Sequence, residues 1–117
     1  MLIKNNGCSI NFIDENDVFL GYEYVGSCCE YFGYIINTDG VYTVDCDNSD
    51  NGDDFELDGY VFDIKFNGGS WDSHVKFKLV KEGHEDLYLI LFNEHNGYYG
   101  HGFEFKVGDQ TLLDGYI

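Results

Sequence analysis

The sequence predicts a single antiparallel β domain, a sandwich or strongly curved sheet with at most one short helix. Three observations carry that reading. The chain has no Ala but ten Tyr and ten Phe, which removes the best helix former and supplies strand formers. Turn dipeptides that tolerate positive φ recur at Asp39-Gly40, Asn51-Gly52, Asp58-Gly59, Asn67-Gly68-Gly69, Asn96-Gly97 and Asp114-Gly115. Between them lie segments of strand length, several alternating apolar and polar residues. The 117 residues suit one domain, with no repeat or linker to divide residues 1–117.

In chain order the predicted strands are residues 9–13, 18–25, 31–36, 41–46, 60–66, 74–80, 87–95 and 98–107. In the second, Val18, Leu20, Tyr22 and Tyr24 form one apolar face, with Gly21 and Glu23 opposite. In the fifth, Tyr60, Phe62, Ile64 and Phe66 share a face; in the sixth, Val75, Phe77 and Leu79 oppose His74, Lys76 and Lys78. Each reads as a strand with one wet face. Residues 87–92 are apolar on both faces, which places that strand at the centre of a sheet. A two-residue Asn96-Gly97 turn predicts a hairpin that pairs Leu91 with Gly102 and Phe92 with His101. Gly100 and Gly102 then leave one face bare beside Leu91 and Asn93, a place where another part of the chain or a ligand approaches closely.

Six Lys and no Arg stand against 22 Asp plus Glu, for a formal net charge of -16 and a sequence pI near 4.1. That balance excludes direct binding to nucleic acid or anionic lipid, both of which need a cationic face. The 44% hydrophobic content separates the acidity from disorder. The N-terminal residues show no signal-peptide pattern and no apolar run reaches membrane-span length, so a soluble, intracellular protein is expected. Cys8, Cys28, Cys29 and Cys46 are accordingly read as thiols.

Ser27-Cys28-Cys29-Glu30 follows a Tyr-rich strand, and Leu89-Ile90-Leu91-Phe92 runs into Asn96-Gly97-Tyr98-Tyr99. These two motifs resemble an uncharacterised family of short phage and bacterial proteins, a domain of unknown function, over residues 21–105. Family members carry Ser after the paired Tyr, where this chain has Gly100-His101, and the acidic residues 47–58 have no counterpart there. The resemblance implies a phage or prophage origin, hence a bacterial cytoplasm as the expected compartment, and a mostly β fold; it supplies no activity, because the family has none assigned.

The residues that suggest chemistry have plainer readings. Cys28, Cys29, Glu30 and a His evoke zinc, but adjacent strand residues point to opposite faces and chelating spacing is lacking, so no metal is expected. Asp47, Ser49, Asn51, Gly52 and Asp58 match part of a calcium loop, yet Asp54 occupies its apolar anchor position and the flanks read as strands. That stretch is read as an exposed acidic loop. Glu94 and His101, diagonal in the predicted hairpin, or the Cys pair, would be the groups of a small enzyme; no catalytic residue and no cofactor are expected.

Charge remains the strongest signal. Asp14, Glu15 and Asp17, then Asp45, Asp47, Asp50, Asp53, Asp54, Glu56 and Asp58, then Glu82, Glu85 and Asp86 cluster in turns. Carboxylates on a rigid β scaffold can imitate a phosphate backbone. In charge, size and phage-like motifs the chain resembles anti-CRISPR and anti-restriction proteins. The expected function is therefore a phage-encoded, non-enzymatic inhibitor of a host defence protein, with the first two clusters meeting a basic nucleic-acid-binding surface. The alternative is a small-ligand binder using His95, Tyr98, Gly100 and Gly102 on the bare hairpin face. An unpaired edge strand would favour a homodimer.

Overall fold

The computed structural model describes residues 1–5, 7, 9–23, 31–40, 56–66, 74–94 and 102–117. Among them are nine strands and no helix. The strands are β1 (Leu2–Asn5), β2 (Ser9–Ile13), β3 (Val18–Glu23), β4 (Tyr31–Asn37), β5 (Val61–Phe62), β6 (His74–Val80), β7 (Leu87–Glu94), β8 (Gly102–Val107) and β9 (Gln110–Tyr116). They form two antiparallel sheets, a five-stranded one ordered β1-β2-β3-β8-β9 and a four-stranded one ordered β4-β7-β6-β5. The protein is an all-β sandwich.

Period-two alternation builds the core. Ile10 and Phe12, then Val18, Leu20 and Tyr22, then Phe103 and Phe105 face inward from the larger sheet. Tyr34, Ile36, Phe62, Val75, Phe77, Leu79, Leu89 and Leu91 meet them from the smaller one. Rings cross the interface: Phe12 packs edge-on to Tyr34 at 5.1 Å between centroids, Phe62 to Phe105 at 5.2 Å, and Phe77 lies 4.8 Å from Phe105. Such pairs add about 0.5–1.5 kcal/mol each beyond area burial. As its two-sided apolar sequence predicts, β7 lies between β4 and β6, with Ile90 and Phe92 buried on the face opposite Leu89 and Leu91.

Polar bonds fix the sheets to each other. The Tyr22 hydroxyl donates to the Phe92 carbonyl at 2.8 Å, and the Asn93 amide donates to the Ile117 carbonyl at 3.0 Å. The third bond starts in the β2–β3 turn. Asp14 is only 6% exposed. Its Oδ1 accepts the N–H groups of Asn16 (2.9 Å) and Val18 (3.0 Å), and its Oδ2 accepts that of Phe62 in β5 (2.8 Å). One carboxylate thus shapes the turn in one sheet and holds the edge strand of the other. Between Asp14 and Val18, Asp17 adopts φ +61°, the left-handed residue with which a three-residue hairpin loop closes.

Several elements depart from the sequence reading. The predicted 87–107 hairpin does not form: β7 pairs with β4 and β6, while β8 pairs with β3 and β9 in the other sheet. Leu91 lies opposite Tyr34 and Val75, and Gly102 opposite Tyr116. The chain crosses between sheets after residue 94, and the Asn96-Gly97 turn lies outside the described residues. The strand predicted at 60–66 shrinks to Val61–Phe62, because the Asp63 side chain and carbonyl accept the N–H groups of Lys65 and Phe66 and turn the chain away. Ile64 is consequently exposed. Asp114-Gly115, read as a turn, is extended within β9, with Gly115 at φ +158°. The β8–β9 turn is Gly108-Asp109, glycine first at φ +59°. The strand predicted at 41–46 lies outside the described residues.

Two substitutions test these links by urea denaturation. Asp14→Ala leaves three N–H groups without their acceptor and is expected to lower stability by about 3 kcal/mol, whereas its exposed neighbour variant Glu15→Gln changes it by less than about 0.5 kcal/mol. Tyr22→Phe, which deletes only the inter-sheet hydroxyl, is expected to cost about 1 kcal/mol.

Candidate functional site

The strand order gathers acidic turns at one end of the sandwich. The β2–β3 turn contributes the exposed Glu15 and Asp17, and the segment before β5 contributes Glu56 and Asp58. Glu82, Glu85 and Asp86 project from the β6–β7 turn, and Asp109 from the β8–β9 turn. Hydrogen bonds tie these turns together: Gly108 N–H to the Asp17 carbonyl (3.0 Å), Lys81 Nζ to the Asp58 carbonyl (2.9 Å), and the Tyr60 hydroxyl to the Glu85 carbonyl (2.9 Å). A shallow depression of about 430 Å³ opens between Met1, Ile13, Glu15, Asp58 and Tyr60. Lys78 is one of the cations here, and its ammonium meets Asp86 at 3.3 Å. The bond to Asp86, then the charge of that carboxylate, raises the Lys78 pKa above its usual 10.5.

Asp14 is the exception within this end. Sequence counts it with the exposed acidic cluster, but its carboxylate is buried and committed to three backbone N–H groups, although Asp14 also borders the depression. Asp47, Asp50, Asp53 and Asp54 lie outside the described residues. So do all four cysteines, His95, Tyr98, Gly100 and His101. The hairpin register that set Glu94 diagonal to His101 does not occur, because β7 and β8 occupy different sheets and Glu94 lies opposite Tyr31; His101 itself lies outside the described residues.

Gly102 takes part in a different surface from the one predicted. The outer face of the five-stranded sheet carries two aligned rows: Asn11, Gly21, Glu104 and Asp114 in one, Ser9, Glu23, Gly102 and Tyr116 in the other. An open groove of about 530 Å³ runs across them. The space above Gly102 is shared by the Glu23 carboxylate, which accepts the Gly102 N–H at 3.2 Å, and by the Tyr116 ring. The Phe19 ring leans over Gly21 so closely that a Cβ there would lie 2.8 Å from it. Sequence does not reveal this face, because Asp114-Gly115 resembles a turn within β9; the alternation of Asp114 and Tyr116 is its one signal.

The described residues contain no group of three or more His, Cys, Asp or Glu side chains placed to hold a metal ion. They also contain no helix long and apolar enough to cross a membrane. The class of protein defined by this architecture is an antiparallel β-sandwich with one acidic end and a grooved outer face. The chain matches no protein-family model, no curated protein and no solved structure.

The Lys78–Asp86 pair predicts a local pH effect. Its support is fully present below the unfolded Lys pKa of 10.5 and is lost as pH rises through the higher folded value. Asp86→Asn is expected to return Lys78 toward its ordinary pKa, read by NMR titration of the side chain, with little change in stability because the pair is solvent-exposed.

Proposed function

We propose that this protein is a non-enzymatic binder, phage-encoded and directed at a host defence protein, that docks its acidic end on a basic nucleic-acid-binding surface. The observation that supports this reading is the convergence of four acidic turns at one end of a rigid sandwich. Each turn is anchored to a strand end or to another turn, so the carboxylates keep fixed spacings rather than sampling a flexible tail. Fixed charge of one sign steers a complementary partner and sets the encounter rate. Two acidic stretches of the sequence, 14–17 and 56–58, sit side by side there, joined through the Asp14–Phe62 bond. The net charge of -16 adds a long-range attraction toward any cationic channel.

The test is a salt series on binding to a partner isolated from host lysate, with nucleic acid as competitor. Affinity is expected to fall as salt rises, and nucleic acid is expected to displace the protein from the same surface. Neutralising one turn with Glu82→Gln, Glu85→Gln and Asp86→Asn should slow association about ten-fold while leaving dissociation nearly unchanged and stability equal or higher. Salt-independent affinity, or an association rate unaffected by that triple substitution, would overturn the reading.

A further inference from the structure

The sequence contains three Asp-Gly pairs, and the fold places them in three different environments. An Asp-Gly bond isomerises without an enzyme when the glycine nitrogen attacks the aspartyl carboxyl, since glycine has no side chain to hinder the approach. The reaction needs a glycine N–H that is not already bonded and a backbone free to rotate. In Asp39-Gly40 the Gly40 N–H donates to Asn37 Oδ1 at 2.9 Å, and Gly40 is buried against the Tyr88 ring. Asp114 and Gly115 are held in the β8–β9 ladder, opposite Glu104 and Phe103.

Asp58-Gly59 differs on every count. The two residues are the exposed middle of a tight turn, closed by the Tyr60 N–H donating to the Leu57 carbonyl at 3.1 Å. Gly59 lies at φ +84°, as the third residue of a type II turn requires. Its N–H meets no acceptor among the described residues. Above the turn lies Lys81, whose Nζ donates to the Asp58 carbonyl at 2.9 Å. A Cβ on Gly59 would stand 3.0 Å from Lys81 Cε, so glycine leaves the ammonium its place. That carbonyl belongs to the same peptide as the attacking nitrogen. A cation on its oxygen stabilises the negative charge the amide takes up as its nitrogen loses a proton, as an oxyanion donor does.

We propose that Asp58-Gly59 is a site of spontaneous isoaspartate formation, promoted by Lys81. The Gly59 nitrogen gives up its proton and bonds to Cγ of the protonated Asp58 carboxyl. The Cγ–OH bond breaks, water leaves, and a succinimide ring remains. Water then adds to the former peptide carbonyl and the C–N bond there breaks. This frees the α-carboxyl and leaves Gly59 joined to Cγ. Water lost equals water gained, so the net change is a rearrangement that needs no oxidant, reductant or enzyme. It inserts a backbone methylene between Leu57 and Tyr60, which are both buried. Leu57 accepts the Met1 ammonium at 2.9 Å, and the Tyr60 hydroxyl donates to the Glu85 carbonyl at 2.9 Å, so the insertion disturbs two links of the acidic end. The site stands whether or not that end docks on a partner.

The experiment incubates the full chain for weeks in mildly acidic buffer at physiological temperature. Isoaspartate is then located by peptide mapping and mass spectrometry with electron-transfer fragmentation. It is expected to accumulate at Asp58 about five-fold or more faster than at Asp39 or Asp114, whose backbones are held by burial or by a ladder. Deamidation at the Asn-Gly pairs raises peptide mass, whereas isomerisation at Asp58 leaves it unchanged, so the two are read separately. Lys81→Met should slow formation at Asp58 by about three- to ten-fold, less than an enclosed oxyanion donor supplies because this one is exposed. Lys81→Arg, which keeps a charged donor, should stay within about two-fold of the native rate. Neither variant should alter the rates at Asp39 and Asp114. Asp58→Glu, whose longer side chain would have to close a larger ring, should give no isomer at that position. Equal accumulation at the three pairs, or none at Asp58, would overturn the site. A rate at Asp58 that is unchanged or faster in Lys81→Met would mean that Lys81 only steadies the turn, and would overturn its promoting role.

Discussion

The carboxylate of Asp14 is the constraint on which the sandwich most depends. A buried carboxylate is costly unless every part of it is bonded, and here it accepts three backbone N–H groups from two sheets. Apolar burial alone holds the sheets together without fixing their relative position, because hydrophobic contact has no direction. Hydrogen bonds do have direction. With Asp14 at one end and Tyr22–Phe92 and Asn93–Ile117 bonded elsewhere, sliding one sheet across the other would break buried polar bonds. The aromatic interior then packs in one arrangement, with Phe62, Phe77 and Phe105 in mutual contact.

That fixation also determines what the surface displays. Bringing β5 to the β2–β3 turn carries Glu56 and Asp58 alongside Glu15 and Asp17. Pairing β8 with β3 sets the Gly108-Asp109 turn against Asp17. The acidic end is a product of topology, since its residues come from four separate stretches of chain. The grooved face has the same origin, because Gly21 and Glu104 meet only when β3 and β8 are neighbours.

What sequence makes legible here is local. The strands 18–23 and 74–80 follow from alternation, and the central place of β7 follows from its two apolar faces. Gly40 and Gly59 adopt positive φ as their Asp-Gly pairs imply. Partner choice is another matter. Asn96-Gly97 promotes a tight turn wherever it stands, but turn chemistry carries no information on which sheet the next strand joins. The partner of β8 is β3, some 80 residues earlier, selected by inward-facing Leu20 and Tyr22 meeting Phe103 and Phe105. Asp14 looks like one more surface acid, because its burial requires Phe62 to arrive from 48 residues away. The final strand hides because Asp114-Gly115 resembles a turn and its flanking side chains are exposed.

That same final strand has a colloidal consequence. β9 ends the five-stranded sheet, and Leu112, Leu113 and Tyr116 stand exposed on it without a lysine or proline to discourage pairing with another chain. The molecule's own charge opposes such pairing, in addition to Asp114 within the strand itself. Every copy carries the same large negative excess, so two copies repel before their edges can meet. This repulsion is diffuse and reversible, unlike the single charge that Asp114 places within the strand. It weakens in concentrated salt, and it vanishes as acidification approaches the sequence pI near 4.1. The acidity of this chain therefore acts against edge pairing at a distance from where the exposed edge lies.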